Sequence, residues 1–346
     1  GPFGYLAEKA STNLAIRSED FTTSWVIQGV TVTADVAVAP DGATTMDRLV
    51  VGTGGSVVRD VYQAITSLSS ATNYTSSIYM KDDGAGFGGI SLHFNSSNFI
   101  SVVVNLSTGL VTDTDVGITS GTIVATGCED VGNGVYRVWI SGSIAGTGTG
   151  YLIPFLSNAA VPVWGEGRVK YTGVAGEDIL VWGAQLELGT YPKSYIPTTT
   201  TAVTRNSDVL TVAESGAIDY TIGTLSLEVS RAHSVDDGNQ SIISAVGGYL
   251  MYSTTGIVDT TNNNSGVTSA YGGLSRLNNP VQSAIVWGGS TKDVYHGVVT
   301  ASGSFAAPLT SGDLIVGGGI GGSSGMMSRN LKIFDSELTA EEVGDL

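Results

Sequence analysis

Short runs of β-branched and aromatic residues, each followed by a turn signal, recur along the whole chain. In runs such as Val30 to Val38 and Val135 to Ile140, apolar and polar residues partly alternate, as in half-buried strands. Turn signals such as Gly132-Asn133-Gly134 supply residues that accept positive φ at low steric cost. The pattern predicts antiparallel strands and disfavours a fold that alternates strands with long helices. Further runs of this kind are Tyr74 to Met80, Ser101 to Leu106 and Leu225 to Val229.

The composition agrees with a β-rich fold. The 346 residues include 48 glycines, and only 13% are charged. One helix is expected at the end of the chain, where Thr339 begins a Thr-x-x-Glu capping box closed by Glu342. Since single cores rarely grow beyond a few hundred residues, a chain of this length favours two domains. We therefore predict an all-β protein with almost no helix, made of two antiparallel β-sandwiches in tandem.

The boundary between the two domains is expected in the segment Pro192 to Thr204, where two prolines and a threonine run interrupt the strand pattern. We place the first domain at residues 12–200 and the second at 201–346. Residues 1–11 are interpreted as a lead-in that opens with Gly1-Pro2, a pair typical of the scar left by tag cleavage. On this interpretation the natural protein extends further upstream.

The charge balance restricts the partners. With 31 acidic and 15 basic residues, the net charge of −16 repels nucleic acid and anionic lipid headgroups. No apolar run is long enough for membrane insertion as a helix, and no signal peptide is visible at the start. The single cysteine, Cys128, excludes an internal disulfide and fits folding in a reducing cytosol.

Four sequence blocks in the first domain resemble, in order, a carbohydrate-binding-module-like jelly roll that is frequent in phage tail proteins. The blocks are Thr12 to Phe21 with Trp25, Ala39 to Gly42 with Asp47 to Leu49, Glu129 to Val138, and Trp182 to Glu187 running into Tyr195 to Thr198. In the second domain, Gly223 to Val229 and Arg329 to Asp335 resemble the first and last strands of a concanavalin A-like, laminin-G-type sandwich.

The resemblance implies a segment of a bacteriophage tail fibre or related virion appendage that folds in the host cytoplasm and recognises a host cell-surface polysaccharide or lipopolysaccharide. It also implies contacts with other virion proteins and a homotrimeric parent fibre. Fold alone does not fix function, so two alternatives stay open. One is a structural spacer or decoration without its own ligand, and the other is a polysaccharide depolymerase.

Catalysis is the least favoured of these functions. Retaining glycosidases place two carboxylates about 5 Å apart. Those on the concanavalin-like fold typically carry Glu-x-Asp-x-x-Glu on one strand, and no Glu-x-Asp occurs in this chain. We therefore expect a non-enzymatic protein and assign no catalytic residue.

Sugar binding needs an aromatic face for the C–H groups of a pyranose ring and planar polar groups for its hydroxyls. Trp164 and Arg168 lie together in a loop-like segment and are the first candidates. Phe87, in a glycine-rich loop, and Tyr271, beside two glycines, are further candidates. The alternative role for each aromatic residue is to anchor its own loop onto the sandwich.

No cofactor is required by this interpretation, although jelly rolls of the type resembled often hold one structural calcium ion near the paired terminal strands. The matched blocks place Glu19, Asp47 and Glu187 as its candidate ligands. The alternative is that they are ordinary carboxylates without a metal.

Overall fold

The structure, a computed structural model, describes residues 5–118, 121–212, 221–231, 240–245, 248–252, 257–262, 265–270, 281–288, 291–296, 299–304, 314–316 and 326–346. The chain divides into two compact units. The first unit is Ser11–Arg205, and the second combines Gly1–Ala10 with Asn206–Leu346. Gly1 and Pro2, interpreted above as a tag scar, lie outside the described residues.

The described elements are nearly all strands. In chain order they are β1 (Tyr5–Ala7), β2 (Ser11–Asn13), β3 (Val26–Gln28), β4 (Val30–Val38), β5 (Thr44–Val51), β6 (Gly54–Val58), β7 (Asp60–Leu68), β8 (Asn73–Asp83), β9 (Phe87–Asn95), β10 (Asn98–Asn105), β11 (Leu110–Val116), β12 (Gly121–Gly132), β13 (Val135–Ile144), β14 (Gly148–Ser157), β15 (Trp164–Gly165), β16 (Arg168–Gly173), β17 (Asp178–Leu188), β18 (Val203–Arg205), β19 (Leu210–Val212), β20 (Ile222–Arg231), β21 (Gln240–Ala245), β22 (Gly248–Tyr252), β23 (Ile257–Asn262), β24 (Ser265–Ala270), β25 (Val281–Gly288), β26 (Thr291–His296), β27 (Val299–Ser304), β28 (Leu314–Val316), β29 (Met326–Phe334) and α1 (Ala340–Gly344).

The first unit is a sandwich of two six-stranded antiparallel sheets. We call the sheet with the order β11-β10-β9-β14-β7-β3 the front sheet, and the sheet with the order β12-β13-β8-β17-β5-β4 the back sheet. Fully buried aliphatic side chains from both sheets form one core, among them Ile90 and Leu92 of the front sheet and Ile78 and Met80 of the back sheet. Burial of this apolar surface is the main favourable contribution to folding of the unit.

A buried asparagine joins the first strand of this unit to its last segments. The Asn13 side chain is fully buried, and its Nδ2 donates to the carbonyls of Ala184, at 3.0 Å, and Ile196, at 2.9 Å. Its Oδ1 accepts from the backbone N–H groups of Ala15 and Leu186, both at 3.1 Å. Asn13 thereby supplies hydrogen bonds to backbone groups that would otherwise be buried without partners.

A buried ion pair between Glu187 and Lys193 lies beside Asn13. The Glu187 carboxylate is fully buried and accepts from Ser11 Oγ, Gln185 Nε2 and the backbone N–H of Lys193. The Lys193 ammonium, also buried, lies 3.4 Å from Glu187 Oε2. The Lys193 carbonyl accepts in turn from Arg137, at 2.6 Å, so the network reaches the middle of the back sheet. We call Ser11, Asn13, Gln185, Glu187 and Lys193 the closing network.

The second unit contains two further six-stranded antiparallel sheets, with the orders β1-β29-β20-β25-β26-β27 and β19-β28-β21-β22-β23-β24. Strand β1 pairs with the start of β29, so residues 5–7 belong to this unit. The only helix among the described residues is α1, where the side chain of Thr339 caps the backbone of Glu342 and Glu342 caps Thr339 in return.

The predicted all-β fold class with antiparallel sandwiches and almost no helix is confirmed. The predicted capping box is also present. The expected boundary near residue 200 falls within a segment whose strand β18 pairs back onto β2, and the first unit ends at Arg205. Within the described part of the chain, no helix has the length and apolar character needed to span a membrane.

The closing network yields the first prediction. Lys193→Met should lower the free energy of unfolding by about 3–5 kcal/mol, because it leaves the Glu187 carboxylate buried without its cation. Denaturation in urea, followed by tryptophan fluorescence, measures the loss. Arg17→Met is the control, since it removes a partly exposed pair with Asp20 at 3.6 Å and should cost about 0–1 kcal/mol.

The double variant Glu187→Gln/Lys193→Met separates lost charge pairing from lost packing. It should recover part of the stability, because the remaining buried group is neutral and still able to hydrogen-bond. A loss in Lys193→Met no larger than that of the Arg17→Met control would contradict the role assigned to the closing network.

Candidate functional site

The outer face of the front sheet gathers aromatic and polar side chains from three adjacent strands. Successive residues of a strand point to opposite faces, so β9 turns Leu92 to the core and His93 away from it. The register places Tyr151 of β14 opposite His93. It also places Tyr151 opposite Ala64 of β7, two residues along the same face from Tyr62. The rings of Tyr62 and Tyr151 meet edge to face, with centroids 5.7 Å apart and an interplanar angle of 82°.

The hairpin formed by β15 and β16 is held against this face by one carbonyl. Its turn contains Gly167, whose carbonyl accepts from Ser101 Oγ at 2.9 Å and from Ser91 Oγ at 3.1 Å. His93 Nε2 lies 3.2 Å from the same oxygen and acts as a third donor. Gly167 has φ of +70°, and a Cβ there would lie 2.3 Å from the Phe99 ring, so glycine is required for this close approach.

Arg168 fixes the other side of the hairpin. Its guanidinium binds the buried carboxylate of Asp60 with both Nε and Nη2, at 2.5–2.8 Å, and also donates to the side-chain oxygen of Gln28. The guanidinium carbon lies 5.6 Å from the centroid of the Tyr62 ring. Burial raises the pKa of Asp60 to about 6, although Arg168 lowers it, so the carboxyl group is mainly ionised at neutral pH.

Between the hairpin and the strands lies an open cleft of about 240 Å³. It combines two aromatic rings with amide, hydroxyl, carboxylate and guanidinium groups. Its lining residues are Tyr62, His93, Asn95, Ser96, Tyr151, Ile153, Glu166 and Arg168.

Of the four predicted sugar-binding residues, the structure describes three and places one of them in the cleft. Arg168 lines the cleft. Trp164 does not: its Nε1 donates to Asp113 at 2.8 Å, and its ring packs edge to face on Phe155, which anchors the hairpin. Phe87 packs against the same buried cluster as Trp164 and is likewise not a lining residue. Tyr271 lies outside the described residues.

The three predicted calcium ligands each have partners within the protein. Asp47 accepts from the backbone N–H groups of Phe21 and Asp35, and burial raises its pKa. Glu19 accepts from the Tyr195 hydroxyl, and burial raises its pKa as well. Glu187 belongs to the closing network. Among the residues the structure describes, no group of three or more His, Cys, Asp or Glu side chains is placed to hold a metal ion. These carboxylates, as placed, do not fit a shared calcium site.

The sequence reasoning missed Tyr62, Tyr151 and Asn95. Glu166 lies between Trp164 and Arg168 in the same loop-like segment and within reach of both, but it was not itself chosen as a binding residue. Tyr62 and Tyr151 are 89 positions apart in the sequence and meet only through the pairing of β7 with β14. That register is not visible in either strand alone.

Comparisons with known proteins give no family: no family model and no curated protein matches the chain. Among solved structures, the chain is similar to domains LG4–5 of the mouse laminin α1 chain at 10% identity, covering 81% of this chain and 90% of that one, with a TM-score of 0.28. It is similar to the LG1–3 region of the laminin α2 chain at 12% identity, covering 82% of this chain and 63% of that one, with a TM-score of 0.29. It is also similar to the Trypanosoma rangeli sialidase in complex with sialic acid at 10% identity, covering 86% of this chain and 59% of that one, with a TM-score of 0.30.

The buried imidazole of His93 yields a prediction about pH. Burial lowers its pKa from 6.5 to about 4, so the folded state keeps it neutral where the unfolded state takes up a proton. The stability from this group is fully present above pH 6.5 and is lost as the pH falls towards 4. That difference in pKa corresponds to a loss of about 3 kcal/mol in the free energy of unfolding.

His93→Gln removes the titrating group and retains a donor for the Gly167 carbonyl. Denaturation of both proteins at several pH values between 4 and 7 measures the effect as a difference, in which the contribution of Asp60 cancels. The difference in free energy of unfolding between the wild type and His93→Gln should shift against the wild type as the pH falls. A difference that stays constant with pH would show that His93 is not held neutral by burial.

Proposed function

We propose that the first unit is a non-catalytic carbohydrate-binding module that holds a sugar residue of a bacterial surface glycan in the cleft. The observation that carries this proposal is the meeting of the Tyr62 and Tyr151 rings with Asn95, Glu166 and Arg168 in one cleft. Aromatic faces pack on the C–H groups of a pyranose ring, and planar polar groups bond its hydroxyls.

The size and construction of the cleft support a small ligand. Its volume of about 240 Å³ is below the roughly 300–1,000 Å³ of pockets for drug-sized molecules, which suits one ring of a longer glycan. The residues around it are fixed before a ligand arrives, because Arg168 is bound to Asp60 and the hairpin is bound through Gly167. Such preorganisation reduces the entropy lost on binding.

A non-catalytic role is supported by the way the nearby carboxyl groups are used. The Asp60 carboxylate is buried and bound on both oxygens by Arg168, which leaves Glu166 as an exposed acid in the cleft. A retaining glycosidase needs two carboxyl groups about 5 Å apart, both facing the substrate. The engaged state of Asp60 therefore favours binding over hydrolysis.

We place this module, by the resemblance of its sequence blocks, in the tail fibre or a related appendage of a bacteriophage virion, folded in the host cytoplasm. Its partners would be host cell-surface polysaccharide or lipopolysaccharide, other virion proteins and the sister chains of a homotrimer. Several copies on one appendage would raise the avidity of weak single sites.

The aromatic pair provides the test of binding. Tyr62→Ala and Tyr151→Ala should each weaken binding to a glycan recognised by the wild type about tenfold or more, because each removes packing surface worth more than about 1.4 kcal/mol. A glycan array identifies the ligand and calorimetry measures the affinity. The matched control is Tyr136→Ala on the back sheet, a half-buried tyrosine outside the cleft. Equal effects of all three variants on glycan affinity would argue against binding in the cleft.

A second role, as a structural module that contacts other virion proteins or copies of itself, is favoured by the edge of the front sheet. Strand β11 ends that sheet and exposes Leu110 by 63%. Ile118, just beyond the strand, is 91% exposed. Edge strands with exposed apolar side chains are common places for pairing with another chain.

The edge of β11 yields a prediction about association. If this edge joins copies of the chain, light scattering at increasing concentration should show oligomers, and Leu110→Lys with Ile118→Lys should reduce them to monomers, because charges on an edge oppose pairing. Val174→Lys with Val38→Lys, exposed valines elsewhere in the unit, serve as the control pair. A protein that stays monomeric throughout would remove support for this second role.

A further inference from the structure

The positive charge in the cleft is already neutralised by the protein. Of the residues that line the cleft, Arg168 is the one permanent cation, and Asp60 binds it on two nitrogens at 2.5–2.8 Å. Gln28 occupies a further donor of the same guanidinium. An anionic ligand group would have to compete with a buried carboxylate for Arg168, and separating a buried pair is costly.

The negative charge in the cleft is free to meet a ligand. Glu166 lies in the turn of the hairpin with φ of +60° and is exposed. In the described part of the structure its carboxylate forms no ion pair and no hydrogen bond. An exposed carboxylate in a cleft attracts a cationic group and repels an anionic one.

The surroundings of the hairpin add to this imbalance. Asp113 lies at the hairpin as the acceptor for Trp164, and Asp115 accepts a backbone hydrogen bond from Gly167. Against these stands Lys170, an exposed cation beside Gly165 that is not among the lining residues. The local charge is therefore negative, like the net charge of −16 for the whole chain.

From these charges we infer that the cleft selects sugars by charge, accepting uncharged or amino-bearing residues and rejecting residues that carry carboxylate, sulfate or phosphate groups. This inference rests on the proposed function, since it names the class of glycan that the same cleft takes. It assigns Glu166 as the residue that sets the selectivity and Asp60 as the residue that prevents Arg168 from acting as an anion site.

The test at pH 7.5 begins with an array of neutral hexose and N-acetylhexosamine oligosaccharides, chitosan oligosaccharides, and sialylated and uronate oligosaccharides. The strongest ligands should be neutral or amino-bearing. The best neutral ligand is then compared by calorimetry with its own C6-oxidised uronate form. The uronate should bind more weakly by a factor of roughly five or more. This is the factor that the repulsion between two unit charges about 4 Å apart in water produces.

Glu166→Gln should remove most of the difference between the neutral ligand and its uronate. Glu129→Gln, at an exposed carboxylate on the back sheet, should leave that difference unchanged. Acidic glycans as the strongest ligands, or equal binding of the neutral and uronate forms, would overturn the charge selectivity and leave sugar binding in place. Failure of the wild type to bind any glycan would instead overturn the proposed function itself.

Discussion

The first unit depends on buried polar contacts that join residues close together in space and far apart in sequence. Asn13 and Glu187 are both fully buried, and each uses its side chain to connect the first strand with the last segments of the unit. Such groups are costly to bury unless every partner is present, so the network is satisfied only when both ends of the unit are in register. The apolar core stabilises the sandwich, and the closing network specifies how its ends meet.

Buried polar contacts also position the cleft. The outer face of the front sheet carries Ser91 and His93 of β9 and Ser101 of the neighbouring β10, and all three bind the carbonyl of Gly167. Arg168, the next residue, is fixed by the buried Asp60. Two polar anchors at adjacent residues therefore place the hairpin over the sheet, and the space left between them and the tyrosines is the cleft. Rigid strands carry the aromatic rings, which favours a fixed binding geometry.

Local structure could be predicted from the sequence because it follows from local patterns. Strand β4 spans Val30–Val38, as the alternation predicted, and the capping box at Thr339 follows from four residues. The cleft could not be predicted in the same way. Trp164 was chosen as a sugar platform from its loop-like context, but its direction is set by Asp113 and Phe155 on other strands. Side-chain direction in a hairpin depends on long-range pairing, which a single sequence does not show.

The function proposed for the first unit requires a glycan to bind at the outer face of the front sheet, between the tyrosines and the hairpin. Chemical-shift mapping of isotopically labelled protein, titrated with a glycan that it binds, locates the binding surface. The largest shifts should fall on Tyr62, Asn95, Tyr151, Glu166 and Arg168, while the amides of β12 and β13 on the back sheet stay unchanged. Shifts concentrated on the back sheet or in the second unit, with these five residues unmoved, would rule out binding in the cleft.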